Sequence, residues 1–163
     1  MVETIVENFV VFLENNNIPS ALIPFIVSLF PILELRGGMV AAFILDVPFI
    51  QAFIASFIGN MIPIPFILLF IRKIFKLMRK VGPFAKIVEK MEARADKKKE
   101  TILKYKEWGL LLFVAIPLPG TGGWTGALIA ALMDLRFKKC LPIISLGVFI
   151  AGLIMSFVTY GIF

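Results

Sequence analysis

Two residues of opposite charge, Glu34 and Arg36, stand in an apolar part of the sequence and are the only charged residues between Glu14 and Asp46. A charge at the centre of a lipid bilayer costs at least about 2.5–3.5 kcal/mol, so it is rarely idle there. A carboxylate can take up and release a proton, and a guanidinium can hold an anionic group. The pair therefore predicts proton-coupled handling of an anion, with a mutual ion pair that only pins the loop as the alternative.

Residues that interrupt helices surround this pair and recur later in the chain. Pro31 precedes Glu34, and Gly37 and Gly38 follow Arg36. A second run of such residues contains Pro117, Pro119, Gly120, Thr121, Gly122, Gly123 and Trp124. Proline and glycine leave backbone groups unpaired, and at membrane depth such backbone survives only when it is buried in protein or lines a wet cavity.

A helix that begins after each pair of glycines would direct unpaired N–H groups and the positive end of its dipole toward the membrane centre. Such N-termini attract anions, and glycine allows close approach to the backbone. The amides that follow Gly37 and Gly122, together with Arg36, thus form a predicted anion site, to which Thr121 adds a hydroxyl. Trp124 adds a flat apolar wall, with interfacial anchoring as the alternative. The predicted substrate-binding set is Arg36, Gly37, Gly38, Pro117, Pro119, Gly120, Thr121, Gly122, Gly123 and Trp124.

Asp46 directly follows the short apolar segment 39–45, and Asp134 directly follows a similar segment, 125–133. We predict that Asp46 joins Glu34 in proton coupling. A helix cap or turn is the alternative for both aspartates.

Composition decides the broad class of protein. Hydrophobic residues make up 60% and charged residues 17% of the 163 positions, whereas soluble domains are about 45–50% apolar and about 25% charged. The sequence therefore predicts an integral membrane protein. It has no histidine and one cysteine, which excludes histidine metal sites, Ser-His-Asp triads and disulfides within the chain. We expect no metal, no cofactor and no enzymatic activity.

Segment lengths predict an all-α membrane protein in which only two segments cross the bilayer. A short apolar segment, here called a leg, of about 10 residues covers about 15 Å, half of a hydrocarbon core of about 30 Å. Each of the two runs of proline and glycine, here called breakers, has a short leg on both sides. This arrangement predicts re-entrant hairpins, which enter and leave the membrane on one face. The predicted order is an interfacial amphipathic helix over 1–17, a hairpin over 18–46, a transmembrane helix over 48–71, a basic helical segment over 72–107, a second hairpin over 109–133 and a transmembrane helix over 140–162.

The two halves of the sequence match each other. Pro31 pairs with Pro117 at an offset of 86, and Ala42, Asp46, Phe49 and Gly59 pair with Ala130, Asp134, Phe137 and Gly147 at an offset of 88. Thirteen of the 17 basic residues lie within 72–106, which marks that segment as cytoplasmic. The repeats are then inverted and both termini are outside. Inverted repeats are typical of transporters, and two kinked hairpins without transport are the alternative.

Two motifs, FPILELRGG from Phe30 and IPLPGTGGWTG from Ile116, make the chain resemble the small multi-drug export protein family, a distant branch of the DedA (VTT-domain) superfamily. The resemblance implies re-entrant hairpins, dependence on the proton-motive force, and movement of lipids such as a polyprenyl phosphate in the plasma membrane of a prokaryote. Glu34 and Asp46 fit the acidic positions of its first hairpin. Two arginines typical of its second hairpin are replaced here by Val114 and Gly120, so Arg36 and the glycine-rich amides are the candidates for anion recognition.

These observations predict a transporter or lipid flippase, coupled to protons, that moves an anionic or amphipathic molecule. The alternative is a non-transporting membrane scaffold or lipid organiser. The expected partners of the protein are the bilayer, protons, the substrate and a second copy of the chain. The second copy is expected because two spans can hardly enclose the polar hairpin tips. Acidic residues interleave with the basic ones in 72–107, so nucleic acid is not an expected partner.

Overall fold

Eight α-helices and no strand form the described part of this computed structural model, which covers residues 2–118, 120–133 and 135–161. The prediction of an all-helical membrane protein is confirmed at this level. The helices are α1 Val2–Asn15, α2 Ile23–Ser28, α3 Glu34–Ile44, α4 Phe49–Met61, α5 Pro63–Met78, α6 Gly82–Ala115, α7 Gly123–Leu132 and α8 Phe137–Tyr160.

Within the described residues, two stretches are long and apolar enough to cross a membrane. The first joins α4 and α5 over Phe49–Met78, with a mean hydropathy of 2.2, and the second is α8, with a mean hydropathy of 2.4. The first is interrupted at Ile62, directly before Pro63, because proline has no N–H to donate to the helix. After this interruption, α5 continues into the basic region as far as Met78, because lysine and arginine are good helix formers.

Both long stretches carry an exposed apolar stripe. In the first, exposed side chains recur every fourth residue, and α8 carries a similar row. Positions four apart lie on one face of a helix, so each stretch presents a continuous apolar surface to its surroundings. The stripes consist of Ile50, Ile54, Ile58, Ile62, Phe66 and Phe70, and of Leu146, Phe149, Leu153 and Phe157.

Short helices fill the space between the long ones. α3 has 11 residues and α7 has 10, so each is about 15–17 Å long. Both are buried on several sides, with Met39 and Ala42 of α3 and Ile129 and Ala130 of α7 fully buried. α3 packs against α2, α4 and α8, whereas α7 packs against α5, α6 and α8. The two short helices are thus the centre of the molecule.

Corresponding glycines make corresponding contacts in the two halves. A Cβ on Gly59 of α4 would lie 2.3 Å from the carbonyl oxygen of Phe25 in α2. A Cβ on Gly147 of α8 would lie 3.2 Å from the carbonyl oxygen of Leu111 in α6. The glycines are 88 positions apart and their partners 86, which are the offsets at which the two halves of the sequence match.

The ends of the two short helices also correspond. The N–H of Val47 donates to the carbonyl of Ala42 at 2.9 Å after α3, and the N–H of Leu135 donates to the carbonyl of Ala130 at 3.0 Å after α7. Both bonds span five residues, as in a Schellman motif. The same local device therefore ends each helix.

The first and sixth helices differ in detail from the sequence expectation. The apolar stripe of α1 (Val6, Val10 and Leu13) is buried in one cluster with residues of α2 and α3. The helix therefore packs against the first half of the protein through this stripe. α6 runs without a break from Gly82 to Ala115, so most of the basic segment and the predicted first leg of the second hairpin form one helix. No proline lies between Pro83 and Pro117 to separate them.

Candidate functional site

Glu34 holds the N-terminus of α7, although 89 residues separate it from Gly123. Its Oε2 accepts a hydrogen bond from the backbone N–H of Gly123 at 3.0 Å, and its Oε1 accepts one from the N–H of Trp124 at 3.2 Å. These amides have no partner inside their own helix. The side chain is 5% exposed. A buried carboxylate from the first half thus occupies the anion-binding end of a helix in the second half.

The backbone of Glu34 is itself unusual. Its φ of 52° lies in the left-handed region, which costs a residue with a side chain about 1–2 kcal/mol. Glu34 is the first residue of α3 and follows the breaker that contains Pro31. The turn aims its side chain out of its own helix and at the start of α7.

Arg36 reaches the same breaker of the second half. Its Nη1 donates to the carbonyl oxygen of Leu118 at 2.6 Å, and its Nη2 donates to Oγ1 of Thr121 at 3.0 Å. The Thr121 hydroxyl also accepts from the N–H of Leu118 at 3.2 Å and lies 2.9 Å from the carbonyl oxygen of Ile116. Arg36 and Thr121 therefore hold the turn before α7 in one conformation.

Glu34 and Arg36 do not pair directly. Every polar partner that the structure shows for either side chain lies in the second breaker or at the start of α7. Residues two apart on a helix point in different directions, and here one side chain reaches the start of α7 while the other reaches the turn before it. The ion pair between Glu34 and Arg36, which is the alternative suggested by the sequence, is therefore absent between these two described side chains.

Gly122 makes the carboxylate contact sterically feasible. Its φ is 123°, and a Cβ at this position would lie 2.0 Å from Oε2 of Glu34. Any larger residue would have to displace the carboxylate, and the backbone conformation itself favours glycine.

Gly37 and Gly38 lie away from this contact. The N–H of Gly37 donates to the carbonyl of Leu33 at 2.8 Å, because α3 begins at Glu34 rather than after the glycines. A Cβ on Gly38 would lie 1.9 Å from Oγ of Ser28 and 2.6 Å from Oγ of Ser56. Gly38 therefore permits close packing of three helices, and because both glycines lie within α3, no helix N-terminus forms after Gly37.

A small cavity beside Glu34 is lined by a polar residue, Asn60, that was not predicted from the sequence. Asn60 of α4 is 1% exposed and lines this cavity together with Glu34, Arg36 and Gly123. Its Oδ1 has no hydrogen-bond partner. The cavity is about the size of one water molecule. A strongly polar residue within a charge-free apolar span is the signal that could have identified Asn60.

Comparison with protein families assigns the chain to one of them. A family model described as "Putative small multi-drug export protein" matches residues 34–154 of 163. The chain belongs to the small multi-drug export protein family. Among curated proteins and solved structures no match was found.

The family match starts at Glu34 and ends within α8. In this small multi-drug export protein, the match therefore covers the second breaker, α4 and α5 in full and most of α8. Membership points, at a coarse level, to a transporter in a membrane.

Asp46 lies at the opposite end of α3 from Glu34, about 15 Å or more away along the helix. Its φ is 53° and its N–H donates to the carbonyl of Phe43 at 3.2 Å. This is the C-terminal turn position expected for a helix cap. The structure does not bring Asp46 to Glu34.

The other predicted site residues lie along the turn before α7. Trp124 contributes its backbone amide to Glu34, and its indole N–H is buried without a hydrogen-bond partner. Pro117 is partly buried, and Gly120 is exposed with a φ of 76°. Pro119 and Asp134 lie outside the described residues. Within the described ranges, no group of three or more metal-ligating side chains occurs.

Proposed function

We propose that this protein is a proton-coupled transporter or lipid flippase of the DedA type. In this proposal it acts in the plasma membrane of a prokaryote and moves an anionic amphipathic molecule, of which a polyprenyl phosphate lipid is one example. The observation that carries the proposal is the Glu34 carboxylate on the amides of Gly123 and Trp124. A titratable group occupies a helix N-terminus that is also suited to a phosphate or a carboxylate of a substrate.

The proposed architecture is a pair of inverted repeats, each with a re-entrant hairpin and a span. Four features support it: the short helices α3 and α7, the shared offsets of 86 and 88, the corresponding glycine contacts and the matching helix ends. Glu34 of one repeat and the start of α7 in the other then meet where the repeats join. Transporters built from inverted repeats bind substrates at such junctions.

The proposed mechanism is a competition between two anions for the same amides. An ionised Glu34 satisfies the N-terminus of α7. Protonation removes its charge and weakens both hydrogen bonds, since bonds to ionised groups are about twice as strong as neutral ones. The anionic group of a substrate then replaces the carboxylate. The exchange leaves the net charge of the buried site unchanged, which avoids the cost of adding a charge at membrane depth.

Arg36 has a different role in this mechanism from the one expected from the sequence. From the sequence, Arg36 is expected to hold the anionic group of the substrate. In the structure Arg36 donates to Leu118 and Thr121, and the groups that Glu34 binds are the amides of Gly123 and Trp124. We propose that Arg36 keeps the turn in shape and adds positive charge beside the entering anion.

A non-transporting membrane scaffold is the second candidate. The observation that favours it is that Glu34 and Arg36 of the first half both form hydrogen bonds to the second half. Such bonds could serve to lock the two halves together. The expected homodimer stays a prediction in either case.

Reconstitution into liposomes tests the proposal. Purified protein is placed in vesicles with an internal pH dye and a labelled polyprenyl phosphate, and wild type is compared with Glu34→Gln. Glu7→Gln, at an exposed position of α1, is the matched control. We expect Glu34→Gln to abolish transport driven by a pH gradient and to retain downhill exchange. Gradient-driven transport by Glu34→Gln equal to that of wild type would show that Glu34 is structural.

A further inference from the structure

A second polar cavity lies at the basic end of the first long apolar stretch, away from Glu34. It has a volume of about 480 Å³, which is within the range of about 300–1,000 Å³ usual for small-molecule sites. Its described lining is Arg72, Phe75, Lys76, Arg79, Glu92 and Leu132. The cavity therefore lies between α5, α6 and the end of α7.

Positive charge dominates the described lining of this cavity. Three basic side chains face one acidic side chain, Glu92, which forms an ion pair with Arg79. Arg72 donates from Nη2 to the carbonyl oxygen of Leu132 at 3.0 Å. Lys76 has no hydrogen bond or ion pair to another described residue, and its side chain is exposed. Its ammonium group is available to an added ligand.

The position along α5 indicates what kind of anion fits. Arg72 directly follows residues 47–71, a run of 25 residues without a formal charge. Leu69, three residues earlier and therefore on the adjoining part of the same face, is 52% exposed. Apolar surface thus adjoins a basic cavity at the end of the apolar stretch. This arrangement matches a molecule with an anionic head and an acyl tail.

We propose that this cavity binds the phosphate headgroup of an anionic membrane lipid, with the acyl chain against Leu69. Lys76 and Arg79 contact the phosphate, and Phe75 and Leu132 line the apolar side of the cavity. Basic pockets between helices at the membrane surface recognise lipid headgroups in this way. The site is separate from Glu34 and does not depend on the proposed transport function.

Native mass spectrometry of the full chain in detergent micelles tests this proposal. Dioleoyl phosphatidic acid is titrated into wild type, Lys76→Gln and Lys73→Gln. Lys73 is exposed on the same helix and carries the same charge, but it does not line the cavity. We expect Lys76→Gln to raise the Kd about tenfold, because one charge-assisted hydrogen bond is lost. Lys73→Gln should raise it about twofold or less, because a screened surface charge contributes little.

Two further arms complete the test. Glu92→Gln removes the described acidic side chain of the cavity and should tighten binding about threefold, whereas Glu89→Gln, at an exposed position outside the lining, should not. Equal losses in Lys76→Gln and Lys73→Gln would overturn the proposal. So would equal affinity for dioleoyl phosphatidylcholine. Displacement of the lipid by an equal concentration of inorganic phosphate would overturn the lipid assignment and indicate a site for a free anion.

Discussion

Oε2 of Glu34 lies 3.0 Å from the backbone nitrogen of Gly123, across 89 positions of the chain. This contact joins the start of α3 to the start of α7, and the hydrogen bond from Trp124 reinforces it. A carboxylate is therefore the native ligand of a helix N-terminus in this protein.

Glu34→Gln should lower the free energy of unfolding by about 1–3 kcal/mol, because hydrogen bonds to a charged acceptor are replaced by weaker ones. Glutamine also replaces one of the two acceptor oxygens with an NH₂ group, which cannot accept a hydrogen bond from the second backbone amide. Thermal unfolding of the purified protein in detergent measures the change. Glu7→Gln should leave the unfolding midpoint unchanged, and an equal shift in both variants would contradict the role given to the carboxylate.

Gly122→Ala should displace the Glu34 carboxylate, since the new Cβ would lie 2.0 Å from Oε2 and the φ of 123° disfavours alanine. We expect a loss of stability of about 2–4 kcal/mol from the clash and the strain together. Gly82→Ala, where a Cβ meets nothing within 4 Å, should be neutral or slightly stabilising. The double variant with Glu34→Gln should lose less than the sum of the single losses, because both changes remove the same contact. Strict additivity would show that Gly122 acts independently of Glu34.

Arg36→Gln should loosen the turn before α7, since the two donations to Leu118 and Thr121 are lost. Hydrogen exchange of the Thr121 amide, which donates to the carbonyl of Leu118 at 3.1 Å, should become about tenfold faster. Arg136→Gln, at an exposed position, should not change it. Unaltered exchange at Thr121 in the Arg36 variant would assign the rigidity of the turn to its glycine and proline residues instead.

Asn60→Leu should slow proton-driven transport, because it removes a polar wall of the cavity beside Glu34. A water molecule needs two to four polar partners to be held in such a cavity. Gln51→Leu is the matched control, since Gln51 is exposed on the same helix. Proton flux into liposomes, recorded with an internal dye, measures both variants. Equal rates for the two would remove Asn60 from the proton pathway.

The proposed orientation predicts that residues 72–107 face the cytoplasm. In a Cys140→Ser background, Lys97→Cys should resist labelling by a membrane-impermeant maleimide added to intact cells, and Glu14→Cys should be labelled. Both positions are exposed in the structure. Labelling of position 97 from outside would reverse the orientation and exchange the roles of the two hairpin openings.

The sequence by itself determined the class of protein and the location of its special residues. Composition predicted a helical membrane protein, and the two long apolar helices agree with that prediction. Pro31 and the glycine-rich run before Trp124 predicted the two breaks in helical structure. Glu34 and Arg36 stood out because a charge in an apolar segment is costly. These properties are readable because propensity and hydropathy act within a few residues of the chain.

Only the tertiary structure decided which groups meet. The sequence paired Arg36 with the amides after Gly37 and Gly122, but α3 begins at Glu34 and contains both Gly37 and Gly38, so no helix N-terminus forms after Gly37. The carboxylate of Glu34, rather than an external anion, reaches Gly123. Asn60 enters the same site from another helix. No local pattern specifies these contacts, because they depend on how α3, α4 and α7 pack across long separations in the chain.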